Sequence, residues 1–202
     1  MTDLSSPRIG VLALQGDYER HATALEEAGA HPSLVKTAEA LTDLDGLILP
    51  GGESTTMLKF LDRNSLFDAL QGFTRHKPVF GTCAGAILLA RQVSHPAQRS
   101  LGILDIAVER NAYGDQRDSA ILTLDAEIPP ATGPEPVECV FIRAPRIASV
   151  GSDVKVLASR DGFPVLIEQG HTMAATFHPE LSADRRIHNR FVSLVKSAKI
   201  SQ

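Results

Sequence analysis

Pro78-Val79-Phe80-Gly81-Thr82-Cys83-Ala84-Gly85-Ala86-Ile87-Leu88-Leu89-Ala90 is an apolar strand end, a sharp turn and an apolar helix start, in that order. Gly81, Cys83 and Gly85 make G-x-C-x-G. This is the thiol counterpart of a nucleophile elbow, where a strand turns abruptly into a helix and lifts one side chain into the open. The flanking glycines relieve the close backbone approach that the turn forces. The helix that follows points its positive end at the sulfur, an arrangement that activates a cysteine nucleophile. A cysteine alone reads more often as a small buried hydrophobe, so the elbow calls for a base elsewhere in the chain.

Working outward, residues 8–14 and 44–49 are further short apolar runs. The first ends in Gln15-Gly16, the second in Pro50-Gly51-Gly52-Glu53-Ser54-Thr55-Thr56. Unbroken apolar runs of this length are what strands buried on both faces look like. Helical patterns over 18–28, with Ala22, Leu25 and Ala28 apolar, and over 66–76 alternate with them. Asp17 is placed to cap the first helix, and Ser54 or Thr55 the helix after the Gly-Gly loop. A strand over 31–36 completes the alternation, which predicts a doubly wound, mostly parallel sheet in a three-layer α/β fold. After residue 100 the strands at 101–113, 119–124, 138–142, 154–159, 164–168 and 171–177 follow with few helices between. We read them as antiparallel additions to one edge of the same sheet. An amphipathic helix over 184–199, with Ile187, Phe191, Leu194 and Val195 on one face, closes the fold. No repeat or linker divides the chain, so a single domain over 1–202 is expected.

Composition narrows the class. The 202 residues are 43% hydrophobic and 22% charged, ordinary for a water-soluble fold. A formal net charge of −4 argues against nucleic acid as the main partner. No run approaches the roughly 20 apolar residues a membrane span needs, and the N-terminus carries no signal-peptide pattern. Cys83 and Cys139 are read as reduced thiols, which implies a cytoplasmic protein. Metal-ligand spacings such as C-x-x-C and H-E-x-x-H are absent.

The base comes from Thr176-Phe177-His178-Pro179-Glu180. Pro179 keeps His178 out of helix. In extended chain the i, i+2 spacing turns Glu180 to the same side, where its carboxylate orients the imidazole. Cys83, His178 and Glu180 therefore read as nucleophile, base and orienter. Acyl transfer also needs donors for an oxyanion; the N–H of Ala84 and the backbone at Gly51-Gly52 are the candidates.

G-x-C-x-G with a distant H-P-E resembles the class I (triad) glutamine amidotransferases, whose sheet is flavodoxin-like. Further stretches narrow the resemblance: Leu14-Gln15-Gly16-Asp17 with His21, Leu47-Ile48-Leu49-Pro50-Gly51-Gly52-Glu53-Ser54-Thr55-Thr56, Val108-Glu109-Arg110-Asn111-Ala112-Tyr113-Gly114, Phe141-Ile142-Arg143-Ala144-Pro145 and Phe177-His178-Pro179-Glu180-Leu181. Together they are similar to the glutaminase subunits of pyridoxal 5′-phosphate synthase, the PdxT/SNO family, over nearly the whole chain. The resemblance implies hydrolysis of L-glutamine to L-glutamate and ammonia without a cofactor. It implies a (β/α)8-barrel synthase subunit as partner, receiving the ammonia along a protected path within a large hetero-oligomer. It implies weak activity until that partner docks. Glutamine binding would fall to Gly52, Glu53, Ser54, Arg110, Ile142 and Arg143, with Gln15 and Gly16 near the oxyanion site. The zwitterionic head group suits this set: Arg110 and Arg143 can meet a carboxylate, and Glu53 an ammonium. One departure follows Gly114, where Asp115-Gln116 stands in place of the family's basic residue before Gln. Three rivals are weighed. The glutaminase of imidazole glycerol phosphate synthesis lacks the Glu53–Thr56 and Phe141–Pro145 runs. A cysteine peptidase on a similar sheet keeps its base close behind the elbow, whereas no His sits beside Cys83. A regulatory module on a dead fold would not retain Cys83, His178 and Glu180 together.

Overall fold

A computed structural model describes residues 6–63, 65–111 and 119–200. In chain order the elements are β1 (Arg8–Leu12), α1 (Tyr18–Glu27), β2 (His31–Val35), β3 (Gly46–Leu49), α2 (Ser54–Arg63), α3 (Leu66–Thr74), β4 (Val79–Thr82) and α4 (Ala84–Leu89). Then follow β5 (Ala90–Ser94), β6 (Leu104–Glu109), β7 (Ala120–Ala126), β8 (Glu135–Phe141), β9 (Arg146–Val150), β10 (Lys155–Arg160), β11 (Phe163–Gln169), β12 (Thr172–Ala175) and α5 (Arg186–Ile200).

Nine strands form one sheet in the order β2-β1-β3-β4-β12-β11-β10-β7-β8. The first five are parallel, in the flavodoxin-like 2-1-3-4-5 order. The last four add antiparallel to the β12 side. Successive residues of the central strands go to opposite cores. On β3, Leu47 and Leu49 pack with α2, α3 and α4, while Ile48 packs with α1 and α5. On β4, Val79 and Phe80 divide the same way, as Ala174 and Met173 do on β12. That two-sided burial makes three layers and explains why these strands read as unbroken apolar runs. Phe80, Phe177 and Phe191 are fully buried, with Phe80 and Phe191 ring centroids 5.7 Å apart. Each such ring, cut to alanine, costs about 3–5 kcal/mol.

Several details differ from the sequence-based expectations. β5, β6 and β9 form a separate three-stranded sheet, so the strand expected over 101–113 is not an addition to the main one, and the strand expected over 171–177 as an antiparallel edge addition is β12, which lies inside the sheet and parallel to β4. The helix after the elbow ends at Leu89, and Ala90 already begins β5. The first helix buries His21, Ala24 and Leu25; of the expected Ala22/Leu25/Ala28 face only Leu25 is fully buried, and Ala22 and Ala28 are half-buried. Asp17 stands before that helix, but its carboxylate makes no capping bond; its carbonyl accepts from His21 N–H instead. The α2 N-terminus is satisfied by Glu53, whose carboxylate accepts the N–H groups of Thr55 at 2.9 Å and Thr56 at 2.7 Å. Residues 112–118, which include the Asp115-Gln116 departure and the end of the Arg110 stretch, lie outside the described residues. Among those described, no helix is long and apolar enough to cross a membrane.

Candidate active site

Four parallel strands deliver the site from their C-terminal ends, where ligands collect in sheets of this kind. β1 leads to Gln15-Gly16, β3 to Gly51-Gly52, β4 to Cys83 and β12 to His178. The backbone ties the last two together. Cys83 N–H donates to the Ala175 carbonyl at 2.8 Å, carrying the β4–β12 ladder one residue past β4. Three residues beyond Ala175 comes His178, whose own N–H donates to the Val140 carbonyl at 2.8 Å.

Cys83 has φ 47° and ψ −104°, a strained conformation for a non-glycine residue and the signature of the elbow. The glycines around it leave no room for a Cβ. One on Gly85 would sit 1.9 Å from the Leu49 carbonyl oxygen, and one on Gly81 would sit 2.6 Å from Gly85 backbone. Gly51 separates nucleophile from base. The point its Cβ would occupy is 2.4 Å from His178 Cε1 and 3.3 Å from Cys83 Cβ. Sulfur and imidazole thus face each other across a bare stretch of chain.

His178 Nδ1 lies 2.7 Å from Glu180 Oε1, with both side chains nine-tenths buried or more. The i, i+2 spacing predicts this contact from extended chain. The chain is not extended here; Pro179–Leu181 is a 3₁₀ turn, and that turn swings the carboxylate back onto the ring. Nε2 is buried and has no hydrogen-bond partner among the described residues, and the Cys83 thiol acts on the ring. Burial opposes a charge on the ring. It is outweighed by interactions with Cys83 and then Glu180, which raise the His178 pKa to about 10. A ring so placed can take up and hold a proton beside the Cys83 sulfur.

These groups open on a cleft of about 360 Å³, enough for an amino acid. Gly52, Glu53, Ser54, Arg110, Ile142 and Arg143 all line it with Cys83 and His178. Arg110 Nη2 donates to Thr55 Oγ1 at 2.8 Å and lies 3.4 Å from Glu53 Oε1, its side chain only 11% exposed. Arg143 is held at φ 46°, another strained residue at the cleft. Burial works against the Glu53 carboxylate, but hydrogen bonds from Thr56 and Thr55 hold its pKa down at about 2, so it is anionic. Ser54 is buried, and its hydroxyl donates to Gln98 Oε1 at 2.9 Å. Gly52 has φ +130°, and its bare face is covered by the Gln15 amide, which donates to the Glu53 carbonyl at 2.7 Å. Ala84 is buried as the first residue of α4, directly behind the sulfur. Glu180 lies behind the wall rather than in it. Sequence reasoning missed Gly51 as the spacer, and it missed Asp17, Ile87, Asn111 and Pro145, which also line the cleft. For Gly51 the signal was present in the doubled glycine.

Together, fold and cleft define a class: a three-layer α/β protein of the class I glutamine amidotransferase type, with its cysteine at the elbow. Comparison with known proteins gives the same answer. A solved structure described as that of a glutamine amidotransferase superposes with a TM-score of 0.84 and 42% identity, covering 93% of this chain and 98% of the other. A pyridoxal 5′-phosphate synthase subunit PdxT from Solibacter usitatus is 55% identical over 192 residues, covering 92% of this chain and 98% of that protein. Its counterpart from Koribacter versatilis is 54% identical over 190 residues, covering 94% and 96%. The model of the SNO glutamine amidotransferase family matches residues 11–197. The chain belongs to that family.

Proposed function

We propose that this chain is, over its whole length, one glutaminase domain that hydrolyses L-glutamine to L-glutamate and ammonia and passes the ammonia to a separate synthase subunit for pyridoxal 5′-phosphate formation. The observation that carries the reading is the pairing of an elbow cysteine with an imidazole across Gly51, that imidazole held by a buried carboxylate at 2.7 Å.

In this reading His178 takes the Cys83 proton, and the raised imidazole pKa favours the charged pair before substrate arrives. The thiolate attacks the side-chain amide carbon of glutamine. The oxyanion is met by backbone N–H groups at Gly52 and Ala84. His178 gives its proton to the departing nitrogen, leaving a γ-glutamyl thioester and free ammonia. Water, deprotonated by His178, adds to the thioester; collapse releases glutamate and returns the proton to sulfur. Glu180 keeps Nδ1–H in place throughout. Arg110 and Arg143 bind the substrate α-carboxylate, Glu53 its ammonium, and Ser54 and the Ile142 backbone frame the head group.

The partner is a (β/α)8-barrel subunit that joins this chain in a large hetero-oligomer and receives ammonia unprotonated. The names of the relatives support this, since both are subunits of pyridoxal 5′-phosphate synthase. Two free cysteines suit a reducing compartment, the cytoplasm. The test is glutamine hydrolysis by wild type and Cys83→Ala, each with and without the barrel subunit. The wild type is expected to be stimulated by the barrel and the variant to be inactive yet still bind it. Turnover by Cys83→Ala at the wild-type rate would refute the assignment. Stimulation by a different synthase subunit would redirect the pathway and leave the chemistry standing.

A further inference from the structure

Behind the carboxylate of Glu180 lies a second pair of imidazoles that no solvent reaches. His21 from α1 and His188 from the first turn of α5 are both fully buried, with ring centroids 5.3 Å apart. His21 Nδ1 lies 3.1 Å from His188 Nε2. His21 Nε2 faces the other way, 3.2 Å from Thr82 Oγ1 and 3.3 Å from Glu180 Oε2. Thr82 immediately precedes the nucleophile. Oε2 is the Glu180 oxygen that His178 leaves unused; among the described residues it accepts no aligned hydrogen bond, and His21 Nε2 is the polar atom that stands against it.

What each atom faces fixes the tautomers. Burial, then the neighbouring His188 and His178, keep the His21 pKa well below the usual imidazole range, so the ring is neutral and carries one N–H. Were that hydrogen on Nδ1, Nε2 could accept from the Thr82 hydroxyl but would turn a lone pair toward a buried carboxylate oxygen at 3.3 Å, leaving Oε2 with no donor against it. With the hydrogen on Nε2, it bonds Thr82 Oγ1 and keeps a donor edge against Glu180 Oε2 at 3.3 Å, and Nδ1 accepts the Nε2–H of His188. His188 is neutral too: burial, then Arg185, bring its pKa down to about 3.

We infer that His21 is a positioning residue for the triad. Its Nε2 edge stands against the second oxygen of Glu180 and keeps the carboxylate turned so that Oε1 receives the Nδ1–H of His178. His188 fixes the tautomer in which His21 does so. The inference rests on the Cys83–His178–Glu180 reading and adds a fourth and fifth residue behind it, drawn from the two helices that cover that face of the sheet. Neither reaches substrate, so both act only through Glu180.

The test compares His21→Leu and His21→Gln in the full chain. Glutamine hydrolysis is followed across pH with the barrel subunit present, and iodoacetamide modification of Cys83 is followed across pH in the free chain. Leucine fills the space without a donor; glutamine returns an amide N–H near the position of Nε2. The groups facing Glu180 are His178 and His21; those facing His21 are His188 and, beyond it, Arg185. Deprived of the His21 edge, the carboxylate can pivot off Nδ1, and the charged form of His178, which Cys83 and Glu180 favour, loses one of its two supports. The expected result for His21→Leu is a kcat loss on the order of 10- to 100-fold at unchanged KM. Its acid limb moves to higher pH in both assays, and His21→Gln recovers most of each change. A folded leucine variant with wild-type kcat and acid limb overturns the inference, as does a glutamine variant as slow as the leucine one. If the leucine variant does not fold, His21→Gln alone decides, by whether it keeps the wild-type rate and acid limb. Failure of this inference is distinguishable from failure of the triad: an active Cys83→Ala sinks the triad, whereas an inactive Cys83→Ala beside an unaffected His21→Leu sinks only this step.

Discussion

A single methyl group placed on Gly51 tests the geometry without touching any reacting atom. Gly51 is absent from the left-handed region, so alanine fits its backbone without strain. The new carbon would nevertheless sit 2.4 Å from His178 Cε1, 3.2 Å from Nδ1 and 3.3 Å from Cys83 Cβ. Ordinary contact begins near 3.4 Å, so the ring must retreat by about 1 Å. It has little room to do so, being tied to Glu180 at 2.7 Å and walled in by buried side chains. A displacement of about 1 Å at a reacting group costs about 100-fold in rate, equivalent to about 2.7 kcal/mol in the barrier. Overpacking adds about 1–3 kcal/mol of destabilisation. Glutamine hydrolysis with the barrel subunit present reads the first quantity, and urea unfolding reads the second. Gly72→Ala is the control: on α3, with nothing within 4 Å of its Cβ, it should gain about 0.5–1 kcal/mol and leave kcat alone. A folded Gly51→Ala protein within about threefold of wild-type kcat would show that the base does not work from this position.

Two further outcomes follow from the electrostatics. Iodoacetamide at pH 8 should label Cys83 and spare Cys139, which is fully buried and whose thiol is pushed up to about 12 by burial, then by Asp184 and Glu138; peptide mapping that finds Cys139 modified in folded protein would contradict this. Stability should peak near pH 6.5. The His178 pKa is raised on folding, so its contribution is complete below the unfolded value of 6.5 and fades as pH climbs toward 10. For His21 and His188 the pKa is lowered, so their contribution is complete above 6.5 and fades as pH falls below it, that of His188 toward 3. Urea midpoints measured from pH 5 to 10 check both arms. Cys83→Ala, which removes the strongest partner raising His178, should flatten the alkaline arm.

The parts legible in the sequence share a physical cause. β1, β3 and β4 are buried on both faces, so hydrophobicity alone marks them, and the doubled and spaced glycines mark the turns where no Cβ fits. The parts that were not legible lack such a mark. β5 reads Ala-Arg-Gln-Val-Ser and exposes Arg91 and Gln92, so nothing in its pattern distinguishes it from a loop; only pairing with β6 makes it a strand. β8 starts at Glu135, inside a segment whose prolines argue against a strand, and alternation becomes visible only from Val137 on. Glu53 was read as a ligand for substrate, and its capping of α2 was missed, because a glutamate ahead of Ser-Thr-Thr gives the hydroxyls first claim to the cap.

His21 shows the limit most sharply. Hydropathy places a histidine on the wet side of an amphipathic helix, which is why the expected buried face of α1 left His21 out. Burying two imidazoles with no solvent access carries a desolvation cost that an apolar pair of the same volume would avoid. That cost is reduced because each ring finds a polar neighbour at 3.1–3.3 Å (the other imidazole, the hydroxyl next to the nucleophile and the free oxygen of the triad carboxylate), while His188 Nδ1 stays buried without a hydrogen bond among the described residues. No packing requirement explains why those neighbours all belong to Cys83's own strand, His178's own partner and the closing helix. A requirement for one fixed orientation of Glu180 does, since a carboxylate held at one oxygen can pivot and one held at both cannot.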